Sequence, residues 1–198
     1  MPIRRGSVSL ARFRVEGTFP KDLRRWVTGA LKKGAFEAID PKGDEERAVG
    51  FCELENVNRD EFAPGDVFFG MHALFAWRVD KLRVPGLAVR QEMLKWSQAF
   101  EQKNSRPPGR REKGEQKDVV RRTLRAKQEP VTKHFDISFD LTAKELFVWA
   151  TSRAVIEEVQ AALESNLEIK LISRVPAAFV SASALDAMTP TAALFGEV

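Results

Sequence analysis

Residues 104 to 109, Asn-Ser-Arg-Pro-Pro-Gly, constrain the architecture of this chain more than any other stretch. Neither proline can donate a backbone N–H, and each forces the residue before it out of the helical region, so no helix can cross the segment. Yet both flanks read as helix. Upstream, Pro85-Gly86 introduces a segment to about Gln102 in which Val89, Met93, Trp96 and Phe100 fall on one face. Downstream, a second segment runs from about Glu112 to Gln128 and stops before Pro130. Val120 and Leu124 lie on one side of it, able to pack on the first segment. The sequence therefore predicts a protruding helical hairpin with a basic Pro-Pro-Gly tip.

Charge gathers on this hairpin. The chain as a whole carries +4, which alone would say little about partners. From Lys103 to Lys133, however, eleven basic residues stand against Glu112, Glu115, Asp118 and Glu129, so the stretch is +7 and the rest of the chain −3. A localised excess of this kind is an electrostatic footprint. Lys113, Lys117, Arg121 and Arg125 are spaced by four and form one slowly drifting stripe about 18 Å long. Arg110 or Arg111 extends it into the tip and Arg122 widens it. The stripe matches roughly five base-pair steps of duplex backbone. The plain alternative is a solvated amphipathic face. Such faces mix signs, whereas the acids here sit mostly in the first turns, where the helix dipole favours them, and Arg121 to Lys127 contains none. The segment lacks the aromatic platforms of single-strand stacking, so tracking of the phosphate backbone by charge is the expected mechanism. The candidate DNA-binding residues are Arg106, Arg110, Arg111, Lys113, Lys117, Arg121, Arg122, Arg125 and Lys127.

Around the hairpin the sequence predicts an α+β fold, with antiparallel or mixed sheets and packed helices in two similar halves. Residues 1–84 form the first half, 85–130 the hairpin, 131–175 the second half and 176–198 an Ala-, Ser- and Thr-rich tail. Val8 to Glu16 alternates, with a phase slip near Ala11-Arg12. A helix follows Pro20, with Leu23, Trp26, Val27, Ala30 and Leu31 on one side, Lys21, Arg24, Arg25, Lys32 and Lys33 on the other, and Gly34 at its end. Val49 to Glu55 and Ala73 to Lys81 read as strands, the latter buried mainly on one face. Phe68-Phe69 begins a short strand, and Pro64-Gly65 marks a turn. After the hairpin come strands over Lys133 to Leu141, Glu145 to Thr151 and Glu168 to Ser173. A helix over Arg153 to Ser165 lies before the last, capped by Ser152 with Glu157 and Glu158 near its positive end. All four tryptophans are expected in the core, with Trp96 the interface candidate.

Motifs for chemistry are sparse. The lone Cys52 lies in a strand and reads as a buried, inert thiol. His72 and His134 belong to no HExxH or CxxC-type spacing, and no cofactor or metal is expected. No GxxxxGK[ST], GxGxxG or GxSxG occurs, and there is no tyrosine. Asp136 and Asp140 share a strand face with Glu145 across the turn, a set that a metal-dependent nuclease could use. The expectation is instead solvated carboxylates on an outer face, opposite Ile137, Phe139 and Leu141. Asp44-Glu45-Glu46 reads as loop solvation. No run is long enough to span a membrane, and the basic N-terminus lacks the apolar core of a secretory signal, so a cytosolic location is expected.

Several patterns together resemble the RdgC family of recombination-associated DNA-binding proteins. They are a helix begun after Val84-Pro85 with Lys95 and Glu101, the loop Arg110-Arg111-Glu112-Lys113, and Asp118-Val119-Val120. Phe139-Asp140, Leu146-Phe147-Val148, Ala150-Thr151-Ser152, Ile156-Glu157-Glu158 and Leu171-Ile172 follow. The likeness covers about residues 1 to 175. It implies a non-enzymatic, nucleoid-associated homodimer that encloses duplex DNA without sequence preference and limits loading of a RecA-type recombinase. Strand preference, double or single, stays open. Family members usually continue well past the point where this chain ends, so the resemblance also implies an open clamp, a different closure or a partner-completed ring. The alternatives are a metal-dependent nuclease and a module whose basic hairpin grips RNA or an acidic protein.

Overall fold

The computed structural model describes residues 9–40, 43, 45–56, 58, 59 and 61–174. The tail from Pro176, Val8 of the expected first strand and Asp44 of the acidic loop lie outside the described residues. The class is α+β, as the sequence predicts, with five helices and a seven-stranded antiparallel sheet among the described residues. The elements in order are β1 (Ala11–Glu16), α1 (Leu23–Lys33), β2 (Arg47–Glu53), α2 (Pro64–Val67), β3 (Phe68–Phe69), β4 (His72–Lys81), α3 (Gly86–Asn104), α4 (Arg110–Arg125), β5 (Val131–Asp140), β6 (Glu145–Val148), α5 (Arg153–Leu167) and β7 (Lys170–Ser173). The strand order is β2-β4-β5-β6-β1-β7, with β3 paired to β4. This order interleaves the two sequence halves, because β1 lies between β6 and β7.

The described residues form two compact units, each discontinuous in sequence: those within residues 1–35, 51–77 and 135–198, and those within residues 36–50 and 78–134. In the first, period-2 alternation sends Phe13, Val15, Ile137, Phe139, Leu146, Val148 and Leu171 to one buried face. The registers Phe13↔Leu146 and Phe139↔Leu146 place these apolar residues side by side across the strands. Helix α1 contributes Val27, Ala30 and Leu31, helix α5 contributes Val155, Val159, Leu163 and Leu167, and the two helices pack together. Asp22, not Pro20, starts α1: its carboxylate accepts the Arg25 N–H at 3.0 Å. Gly34 ends the helix for a reason other than left-handed geometry, since its φ is −113°. A Cβ there would lie 2.5 Å from Asn166 Nδ2 and 3.0 Å from the Phe51 ring. Phe51, fully buried, meets Phe75 and Trp77 edge-on.

The second unit holds α3 and α4, which pack on each other around a much thinner core. Val89 is the buried residue of α3 and Val120 that of α4. Met93, Trp96, Phe100 and Leu124 are half-buried. Here Asp80 is 1% exposed and held by a two-pronged Arg78 fork at 2.8 and 2.7 Å, while Arg78 stacks 4.1 Å from the Phe36 ring. Burial pushes the Asp80 pKa up, but the bonds from Arg78 and Thr132 outweigh it and leave it below the ordinary carboxylate value.

Several local expectations change. The strand over Ala73 to Lys81 is buried on both faces, because Ala76 and Asp80 are covered as fully as Phe75 and Val79. Pro64-Gly65 opens the short helix α2 instead of a turn, with proline in the first helical position it tolerates. Ser152 stands at the start of α5 without a side-chain capping bond, and the first turn of α5 holds no acid; Glu157 pairs with Arg153 instead. Strand β6 ends at Val148, short of Thr151. Of the tryptophans only Trp77 is fully buried, and Trp26, Trp96 and Trp149 are half-buried.

Candidate nucleic-acid interface

The α3–α4 connection is built by one acidic side chain. Ser105 takes a left-handed conformation, φ 51°, and returns its N–H to Glu101 O at 2.8 Å, ending α3. Gly109 precedes α4, and Glu112 in the first turn accepts the Gly109 N–H at 2.7 Å. The same carboxylate receives both prongs of Arg106, at 2.9 and 2.6 Å, and Arg106 lies 5.1 Å from the Phe100 ring. Arg106 and the Gly109 N–H together hold the Glu112 pKa down to about 2. The Arg106 fork is thus engaged inside the loop.

Along α4 the expected cations separate into three groups. Arg111 pairs with Glu115 at 2.8 Å, a contact between two strongly exposed side chains that is worth little and exchanges easily. Arg125, half-buried, turns inward and donates to the backbone carbonyls of Asp40 and Glu45, with its Nε buried and lacking a hydrogen-bond partner among the described residues. Arg110, Lys113, Lys117, Arg121, Arg122 and Lys127 are exposed and make no ion pair among the described residues. The stripe therefore keeps a net excess of positive charge on solvent-facing side chains.

Arg121, Arg122 and Arg125 also line an open groove of about 380 Å³, and Arg83 lines it too. Arg83 sits in the loop before Val84-Pro85, far from the α4 stripe in sequence, and is not among the residues that helical spacing picks out. A lone basic residue just ahead of a Pro-Gly helix start was the one signal available. Glu46 and Asp118 share the groove. Planar guanidinium forks converging on one hollow suit a tetrahedral phosphate, whose oxygens accept paired N–H bonds.

The carboxylates considered for metal chemistry have other employment, and the expectation that they are solvated is corrected. Asp136 is 3% exposed and its strand neighbour Ser138 9%. Asp140 accepts the N–H groups of Thr142 and Ala143, both at 2.9 Å, fixing the β5–β6 turn, and lies 3.8 Å from His72. Glu145, directly across from Asp140 in register, is clasped by Arg12 at 2.6 Å and Arg174 at 2.6 Å. These bonds, chiefly that of Arg12, lower its pKa against the opposing effect of burial. Among the described residues no group of three or more His, Cys, Asp or Glu side chains is placed to hold a metal ion. Cys52 is buried, as expected. No described helix is long and apolar enough to cross a membrane.

A family model described as "Putative exonuclease, RdgC" matches residues 12–189. The chain belongs to the RdgC family. A search of the curated proteins found no match. Membership in RdgC suggests a recombination-associated DNA-binding protein, and it spans both units, including the whole of α4 and the loop ahead of it.

Proposed function

We propose that this RdgC-family protein binds duplex DNA without sequence preference, by Coulomb attraction between the exposed cations of α4 and backbone phosphates. The observation that carries the reading is the set of six exposed α4-region cations that make no ion pair among the described residues, beside a groove lined by arginines. Arg83, Arg121 and Arg122 seat a phosphate at that groove, and Arg125 shapes its floor through the Asp40 and Glu45 carbonyls. Lys113 and Lys117 carry the track toward the loop. Every side chain in this set is a cationic donor that a phosphate oxygen satisfies whatever the base sequence, so affinity comes from charge and is strongly salt-dependent. If about six phosphates are engaged per chain, log affinity against log salt falls with a slope near −5.

The family likeness extends the proposal to a nucleoid-associated homodimer that surrounds the duplex and restricts loading of a RecA-type recombinase. The protein acts by occupancy and not by cutting. Support for that last point is the engagement of Asp136, Asp140 and Glu145 in burial, turn formation and ion pairing. Duplex binding across a salt series is the direct test, with RNA and a polyanionic protein as competitors. A flat salt response, or preference for the protein polyanion, overturns the DNA reading. Degradation of labelled DNA with Mg²⁺ or Mn²⁺, lost on Asp140→Asn, would replace it by a nuclease. Light scattering checks the dimer, and a recombinase-loading assay on coated DNA checks the antagonism.

A further inference from the structure

In the first unit, away from α4 in sequence, a second hollow has the opposite charge. It encloses about 320 Å³ and is lined by Glu53 at the end of β2, by Arg59, by Asp66 of α2 and by Phe68, Phe69 and Leu74 of the β3–β4 turn region. That volume falls at the lower end of pockets that hold small organic molecules. Glu53 is 5% exposed, yet its Oε1 has no hydrogen-bond partner among the described residues. Its carboxylate accepts the backbone N–H of Phe62, which holds that buried phenylalanine in a left-handed conformation, φ 49°. A second acid, Asp66, lies close enough to repel it, and Glu61 adds to that repulsion. The positive charge of Arg59 acts in the opposite direction. Desolvation and the Asp66 charge together push the Glu53 pKa above its ordinary value.

A buried carboxylate oxygen left unpaired is costly to a folded protein. A cation would remove the cost. Among the described residues no group of three or more His, Cys, Asp or Glu side chains is placed to hold a metal ion, here or elsewhere. The apolar side of the hollow suits a ligand with a hydrocarbon stem. Phe69 is 78% exposed, and Phe68 already faces one guanidinium, Arg24, at 5.6 Å. Phenyl rings beside carboxylates make a site for an alkyl ammonium or alkyl guanidinium head.

We propose that this pocket binds an organic monocation head, ammonium or guanidinium, with the cation on Glu53 and Asp66 and the alkyl stem against Phe69 and Leu74. The inference is independent of the DNA reading. For a probe of about five to eight heavy atoms the dissociation constant is on the order of 1 mM.

Amide-resolved NMR titration of the full chain with n-butylammonium and butylguanidinium tests it, with n-butanol as the uncharged control. Saturable shifts are expected at Glu53 and across Gly65 to Leu74. Glu53→Gln, whose amide oxygen still accepts the Phe62 N–H, should weaken binding at least about tenfold, and the exposed Asp66→Asn about threefold. Shifts no larger than those with butanol, or binding undiminished in both variants, overturn the proposal. Two further probes then identify the source of the cation. Tighter binding of capped arginine amide than of spermidine assigns the site to a side chain of a partner protein. The reverse order assigns it to free polyamines.

Discussion

Arg12 and Arg174 both close on one carboxylate, Glu145, whereas Lys117, Arg121 and Arg122 on α4 make no ion pair among the described residues. The residue types are alike and their employment is opposite. On the β1–β6–β7 face the acid is 13% exposed and the field of two cations is consumed within a few ångströms. On α4 the cations reach into water, and their field is left for something outside. The contrast separates charge that holds a fold from charge that holds a partner. Counting basic residues along the sequence cannot make that separation, because a guanidinium looks the same in both roles. Each side of the contrast can be tested by asking whether a substitution moves stability, affinity or both.

The largest effect is expected on the open side. Lys117→Glu with Arg121→Glu removes two phosphate contacts and sets two negative charges on the stripe. Duplex affinity at low salt should fall about a hundredfold, and the salt slope should become shallower by about 2. Thermal stability should hold within about 0.5 kcal/mol, since both side chains are exposed and unpaired among the described residues. A large loss of stability with unchanged binding would erase the contrast.

Glu145→Gln is the counterpart on the closed side. It leaves Arg12 and Arg174 without their shared anion and should cost about 1–2 kcal/mol, a value discounted because Arg12 is 40% exposed. Duplex affinity should not move. The pH dependence has a definite sign. The folded-state pKa of Glu145 lies below its ordinary 4.5, so its contribution is present above that value and is lost as pH falls through the lowered folded value. Acid denaturation curves of wild type and Glu145→Gln should therefore converge at low pH and separate at neutral pH. Curves that stay parallel would remove Glu145 from the account.

Arg83→Ala asks whether the groove belongs to the interface. One phosphate contact is at stake, so affinity should fall about fivefold and the slope change by about 1. The same loss for every duplex sequence is expected, because a phosphate contact carries no base information. An unchanged affinity would confine the interface to α4 itself.

Much of this was legible in the sequence, and the exceptions have a common cause. The helix pair flanking Arg106-Pro107-Pro108-Gly109 follows from local rules about proline and glycine, and α3 and α4 appear within a few residues of their expected ends. Alternation identified β1 and its inward residues Phe13 and Val15. What escaped depends on residues distant in sequence. Asp136 and Asp80 look like wet strand carboxylates by periodicity, but both are almost wholly buried. Arg125 fits the stripe by spacing, yet the carbonyls of Asp40 and Glu45 draw it inward. Arg83 joins the groove from a loop that no helical period could connect to α4. Periodicity gives the direction of a side chain relative to its own element; what meets it there is decided by the tertiary fold.

The smallest expected effect sits where the two kinds of charge adjoin. Arg106 belongs by composition to the open stripe and by geometry to a closed clasp, with its fork on Glu112. Glu112→Gln loosens the clasp while keeping an oxygen for the Gly109 N–H, so the start of α4 should survive. The loop then gains one net positive charge and a guanidinium no longer engaged by an anion. Duplex affinity should rise two- to threefold, about what one added exposed charge contributes, with a salt slope steeper by up to 1. Since Glu112 in the wild type stays ionised down to about pH 2, the difference should persist across any pH at which DNA binding can be measured. A fall in affinity would carry the opposite meaning: that the Arg106–Glu112 clasp aims the first turn of α4, and that Lys113 and Lys117 depend on it for their position.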